Sequence, residues 1–248
     1  MINITTVDES INNQGLKLLV YGLLGTGKTV LGSTPASQDS PVLFINAEAG
    51  LLSLKDLPEE KKKHISVATV SGIGDIDNVY NLLTTTKDYK WIVLDSISEI
   101  AEVVLADQKK SEKDGRAAYG NLADIMNVML RSFRDIENYN VYMSAKMTRF
   151  TDEISNRTMY WPLMPGKQLT NGIGYLFDEV FALRVESDSE GNQTRWLQTQ
   201  RDMQYECKDR SGKLEMFEPP DLDHIENKIN SNNTKIEVDN KNGTTTTE

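Results

Sequence analysis

Cysteine, histidine and long apolar runs are what this chain of 248 residues has least of. Its one cysteine, Cys207, excludes an internal disulfide and makes a reducing cytoplasm the natural setting. A lone thiol here reads as a small strand residue rather than a nucleophile. His64 and His224 are the only histidines, which sets aside a histidine-based triad and a Cys/His zinc site. No stretch approaches the ~18 consecutive apolar residues of a membrane span, so no membrane partner is expected. The polar, acid-bearing segment 1–15 argues against a signal peptide. Positive charge is also short: 27 Lys and Arg against 37 Asp and Glu leave a net charge of −10. That balance counts against a nucleic-acid binder unless the cations cluster locally.

What is present is more specific. Leu16 to Tyr21 is an apolar run of strand formers, and from its end Gly22, Gly27, Lys28 and Thr29 satisfy G-x-x-x-x-G-K-[ST] at every required position. Glycines let the backbone wrap a polyphosphate with its N–H groups inward, and the following helix turns its positive end to the same anion. The expected cradle is Gly22, Leu23, Leu24, Gly25, Thr26, Gly27, Lys28, Thr29 and Val30. Lys28 would reach the β- and γ-phosphates, and the Thr29 hydroxyl would sit on Mg²⁺. The chain is expected to bind a nucleoside triphosphate.

The rest alternates strand and helix. Val42 to Ile45, Ile65 to Val70, Trp91 to Leu94 and Val141 to Ala145 read as strands. Asp75 is placed to cap a helix burying Ile76, Val79, Tyr80 and Leu83. Leu122, Ile125, Met126, Met129, Leu130, Phe133 and Ile136 recur at helical spacing and should face the core. Gln108 to Ala118 reads as a polar interruption, and 146–171 as a long functional loop containing a hairpin. Val180 to Val185 and Arg195 to Thr199 flank a turn cluster and form a C-terminal hairpin. The expected class is α/β, a mostly parallel sheet with helices on both faces. Its expected limits are a polar leader over 1–15, one domain over 16–228 and a disordered polar tail over 229–248.

A phosphate loop needs a second carboxylate, and Asp95 at the end of the Trp91 strand supplies one suited to Mg²⁺. Ser96 either assists the metal's shell or caps the next helix. Hydrolysis also needs a group to orient or deprotonate water. Glu48, just past the end of the Val42 strand, is the candidate, its other reading being a cap for a helix starting near Ala49.

Phe44-Ile45-Asn46-Ala47-Glu48, Ile92-Val93-Leu94-Asp95-Ser96 and the strand ending near Lys146 resemble the RecA-like P-loop ATPases. More closely, Met164-Pro165-Gly166-Lys167, Phe177-Asp178-Glu179-Val180 and Lys208-Asp209-Arg210-Ser211-Gly212 resemble phage-encoded single-domain members of the single-strand annealing and recombination type. The resemblance implies ATP as the nucleotide, Glu48 as catalytic glutamate and Asp95 as the Mg²⁺-side carboxylate. It places Lys146 where RecA has a sensor glutamine. It also implies that Lys208 and Arg210 act in trans on a neighbour's ATP, the plain reading being two solvated charges on a hairpin tip.

Single-stranded DNA and a homo-oligomer, ring or filament, are the implied partners, with a single-strand-binding protein as a third. Two loops would contact DNA: one with Lys109, Lys110, Lys113 and Arg116, the other with Arg149, Arg157 and Lys167. Two rival functions stay open: a helicase- or packaging-like hexameric motor, and a nucleotide-controlled adaptor that leaves DNA to a partner.

Overall fold

The strands that bear the motifs have no polar side to leave in water. Strand β1, Lys17–Gly22, is buried along its whole length, as are β2, Val42–Asn46, and β4, Trp91–Asp95. Such strands require cover on both faces. The computed structural model describes residues 14–48, 50–151 and 156–231, together with Ile4 and Thr6.

Between β1 and β2 lies helix α1, Lys28–Ser33, and after β2 a single 3₁₀ turn, Leu51–Leu54, and a short helix α2, Glu59–Lys62. Strand β3, Ile65–Thr69, and helix α3, Ile73–Leu83, lead to β4. Helices α4, Ile97–Ser111, and α5, Gly115–Asp135, precede strand β5, Asn140–Thr151. Then come β6, Thr158–Leu163, helix α6, Lys167–Gly172, and a 3₁₀ turn, Ile173–Leu176. The chain closes with β7, Glu179–Ser187, β8, Gln193–Gln198, β9, Lys208–Asp209, β10, Phe217–Glu218, and helix α7, Leu222–Asn230.

The sheet order is β10-β8-β7-β1-β5-β4-β2-β3, with β6 added to β5 and β9 to β7. From β7 to β3 every neighbouring pair is parallel. The β7–β8 and β8–β10 pairs are antiparallel, giving the expected C-terminal hairpin. Leu19, Tyr21, Ile92 and Leu94 face one layer with Ile100, Val104, Met126, Leu130 and Phe133 of α4 and α5. Leu18, Val20, Trp91 and Val93 face the other, with Leu31 of α1 and Leu222 and Ile225 of α7. This is the mostly parallel α/β architecture of a P-loop NTPase, with helices on both faces. No helix among the described residues is long and apolar enough to cross a membrane.

Several local expectations shift. Asp75 does not cap α3: Gly72 stands at the cap, and Asp75, inside the first turn, accepts from the Ser71 amide and hydroxyl at 2.8 and 2.7 Å. The polar interruption at 108–118 shrinks to Glu112–Asp114, because α4 runs on to Ser111 and Asp114 caps α5 through the Arg116 amide at 2.9 Å. Strand β5 runs six residues past Ala145, to Thr151, pairing with β6 from Lys146↔Leu163 to Thr151↔Thr158. Cys207 is buried but lies just before β9 rather than in a strand. Helix α7 continues past the boundary placed at 228, to Asn230. The remainder of the tail, and all of the leader but Ile4, Thr6, Gln14 and Gly15, lie outside the described residues.

Candidate nucleotide-binding site

A parallel sheet brings the carboxyl ends of its strands to one edge, and loops there can converge on a ligand. Gly22 is level with Lys146, and Asn46 with Asp95, so the phosphate loop, the end of β2 and the end of β4 share that edge. The loop turns with Gly27 at φ 103°, a left-handed conformation that side-chain-bearing residues avoid. Gly22 is held by crowding instead: a Cβ there would lie 2.8 Å from Thr26 Oγ1 and 2.9 Å from the Leu183 carbonyl.

These residues line an open cleft of about 880 Å³. The whole expected cradle from Gly22 to Val30 contributes to it, with Glu48, Asp95 and Lys146. The Lys28 ammonium donates to the Gly22 and Leu23 carbonyls, each at 2.9 Å. Burial lowers its pKa, while Asp95 and Glu48 pull the other way and Lys146 adds to the lowering. Both acids and the second lysine thus act electrostatically on Lys28. Thr29 Oγ1 donates to Asp95 Oδ2 at 2.6 Å. A hydroxyl beside a carboxylate suits a hard cation, and no cluster of three or more His, Cys, Asp or Glu able to hold a metal exists among the described residues. The pair therefore fits Mg²⁺ that arrives with phosphate oxygens, which is how that ion is usually held.

Strand β4 is not the neighbour of β1. Strand β5 lies between them, and its Ser144 hydroxyl donates to Asp95 Oδ1. Tyr142, two residues earlier on the same strand, donates to the Lys28 carbonyl at 2.8 Å. Glu48 is exposed, and its Oε1 accepts from the Ser96 hydroxyl, so its carboxylate is tethered beside Asp95 rather than capping a helix. Ser96 also caps α4 through the Glu99 amide at 3.3 Å. The peptide bond between Asp95 and Ser96 is cis.

Lys146 lines the cleft, but its ammonium is bound by Glu99 and Glu102 of α4, each at 2.8 Å. Burial works against its charge, and the hydrogen bonds it donates to Glu102 and Glu99 outweigh that, so its pKa is raised. Lys208 and Arg210 lie elsewhere. Strand β9 pairs with the start of β7, at Val180↔Lys208, and Val180 is level with Leu19, near the entry of β1. They are therefore at the sheet edge opposite their own phosphate loop. There Lys208 donates to the Phe177 carbonyl and Arg210 pairs with Asp178.

The DNA candidates divide in two. Lys109, in the last turn of α4, has its ammonium 5.3 Å from the Tyr119 ring centre, and Lys110 is paired with Asp107 at 2.9 Å. Arg116, Tyr119 and Lys167 line one groove, of about 720 Å³, between the start of α5 and the turn before α6. Lys113 lies in the link just before Asp114. Arg149 is opposite Tyr160 on the β5–β6 hairpin and Arg157 stands just before β6, so neither joins that groove.

Two contacts lie beyond the sequence reading. Ser144 is a small hydroxyl residue inside the buried run Val141 to Ala145, a signal that was available. Arg195 of β8 donates from Nε to the Thr26 carbonyl at 3.1 Å and lines the cleft. Only the pairing of β8 with β7 brings it there, so no local pattern marks it.

A comparison with curated proteins finds no match. A family model described as an AAA domain matches residues 14–211. That span begins ahead of β1 and ends past Arg210, taking in the phosphate loop, Glu48, Asp95 and Lys146, and the chain accordingly belongs to the AAA-domain family of P-loop ATPases.

Proposed function

We propose that the protein is a Mg²⁺-dependent ATPase acting on single-stranded DNA in phage-type annealing or recombination, in the cytoplasm and as a homo-oligomer. The observation that carries this reading is the meeting of Lys28, Thr29, Glu48 and Asp95 in one cleft. Family membership gives the nucleotide-binding ATPase class.

In this reading Lys28 and the loop amides hold the phosphates, and Thr29 and Asp95 hold the metal. Mg²⁺, when bound, would neutralise charge on the β- and γ-phosphate oxygens. Glu48, oriented by Ser96, accepts the proton of the attacking water. Ser144 keeps the Asp95 carboxylate turned toward Thr29. Lys146 is a positioning cation for the cleft rather than a free one, given its two carboxylate partners.

DNA contact is supported by the groove where Arg116, Tyr119 and Lys167 meet. Cations that neutralise phosphates beside an exposed aromatic are the ingredients of single-strand binding. The test is ATP turnover with and without single-stranded DNA across a salt series. Stimulation that fades with salt is expected; unchanged turnover, with no salt-sensitive DNA affinity, would favour the adaptor reading.

A second reading, a hexameric motor, is favoured by the place of Lys208 and Arg210. They cannot serve their own cleft from the opposite edge of the sheet, but they could serve a neighbour's. Unwinding of a forked duplex would select the motor; annealing of complementary strands without unwinding would select the first reading.

A further inference from the structure

The cleft has two unlike ends. Glu48, Asp95 and Lys146 stand at one, on the side of β2, β4 and β5. Leu183, Arg195 and Pro220 wall the other, on the side of β7, β8 and the turn after β10. If the first group acts on the terminal phosphate, the nucleoside must run the opposite way from the loop. This inference rests on the triphosphate reading of the cleft.

Arg195 is exposed, and one contact orients it. Its Nε is fixed on the Thr26 carbonyl at 3.1 Å, and the guanidinium lies over Gly27, where an added Cβ would come 3.7 Å from Nε. Its terminal nitrogens have no hydrogen-bond partner among the described residues. A planar, pre-oriented guanidinium is suited to lie against an aromatic face. Pro220 adds a second flat apolar surface, and Leu183 is almost wholly buried behind. Among the described residues lining this end, the one hydroxyl, Thr26 Oγ1, is committed to the Leu23 carbonyl at 2.9 Å, and no Asn, Gln or Asp side chain stands by to distinguish a 6-amino group from a 6-oxo group.

We infer that Arg195 and Pro220 form the nucleobase platform of the cleft, holding the base by its face, and that the site takes purine triphosphates with little choice between adenine and guanine. Sites that read a base or hydroxyl edge through buried hydrogen bonds reject the wrong partner by about 10⁴-fold or more. A platform that grips only the face lacks that penalty.

The test is calorimetric titration of the full chain, with Mg²⁺, by ATP, by GTP and by inorganic tripolyphosphate. ATP and GTP are expected within about tenfold of each other, and tripolyphosphate is expected to bind more weakly. Arg195→Ala should weaken ATP and GTP alike by about tenfold, the size of one stacking contact, and leave tripolyphosphate unchanged. Unchanged tripolyphosphate affinity also shows that the variant folds. Arg195→Lys, which keeps the charge and loses the plane, should behave like the alanine variant.

A preference for ATP over GTP of a hundredfold or more would overturn the inference, and so would restoration of parental affinity by Arg195→Lys. Equal losses for tripolyphosphate and ATP in Arg195→Ala, with the parental melting temperature kept, would assign the guanidinium to phosphate and overturn it too. Each of these leaves the cleft a nucleotide site. A parent chain that binds none of the three probes would instead overturn the triphosphate reading itself, and the platform with it.

Discussion

Replacing Lys28 by alanine removes the ammonium that Asp95 and Glu48 both act upon, and with it the main charge facing a polyphosphate. Nucleotide affinity is expected to fall below detection in equilibrium binding. Glu48→Gln keeps shape and polarity but cannot take a proton, so binding should persist while turnover drops by about 10²-fold or more. Parental turnover in that variant would remove Glu48 from the chemistry. Far from the cleft, Glu179 is buried at the start of β7, accepts from the Ser211 amide at 3.1 Å and lies beside Asp209. Burial first, then Asp209, pushes its carboxyl up to about 8 from 4.5. The folded chain therefore holds a proton that the unfolded chain has lost between those values, and stability falls as pH rises through that window. Glu179→Gln cannot ionise. Its melting temperature should match the parent near pH 4.5 and exceed it above pH 8; the same difference at both would refute the assignment.

At the scale of elements, the phosphate loop, Asp95 and Glu48 are legible in the sequence because each follows directly from an apolar strand. In a parallel sheet a strand's last residue always lies on the ligand edge. Arg195 and the separation of β1 from β4 are not legible, because strand order is set by crossovers that no local pattern records. The link at Glu112–Asp114 reads as a longer loop because α4 ends in polar residues, which mark a solvated helix end as readily as a loop. Its shortness bears on the groove proposed for DNA. It carries α5 directly back against the Pro165–Gly166 turn, where Tyr119 would meet a Cβ on Gly166 at 3.3 Å. Tyr119→Ala should weaken oligonucleotide binding by about 1–3 kcal/mol at every salt concentration. Lys167→Ala should instead reduce the slope of log affinity against log salt by about one. Identical effects from the two would mean that the groove does not hold a single strand.

For the whole molecule, the decisive distance is the height of the sheet. The cleft occupies one edge, while Lys208 and Arg210 occupy the other, so one copy cannot bring them together. Arg210→Ala alone should lose turnover if neighbours complete each other's sites. Mixed with Lys28→Ala, which keeps Arg210 but lacks a working cleft, it should regain activity in shared assemblies. No recovery, or full activity of Arg210→Ala, would leave these cations to their in-chain partners Phe177 and Asp178.

Strand β5 touches Asp95 through Ser144 and then continues to Thr151, along the hairpin strand that bears Arg149. From Ser144 to Thr151 an extended strand covers roughly 23 Å. Strand β6 pairs with that span from Lys146 to Thr151, so Arg149 stands on the same paired strand as the hydroxyl that orients Asp95, and a shift of that acid would be carried along β5 toward it.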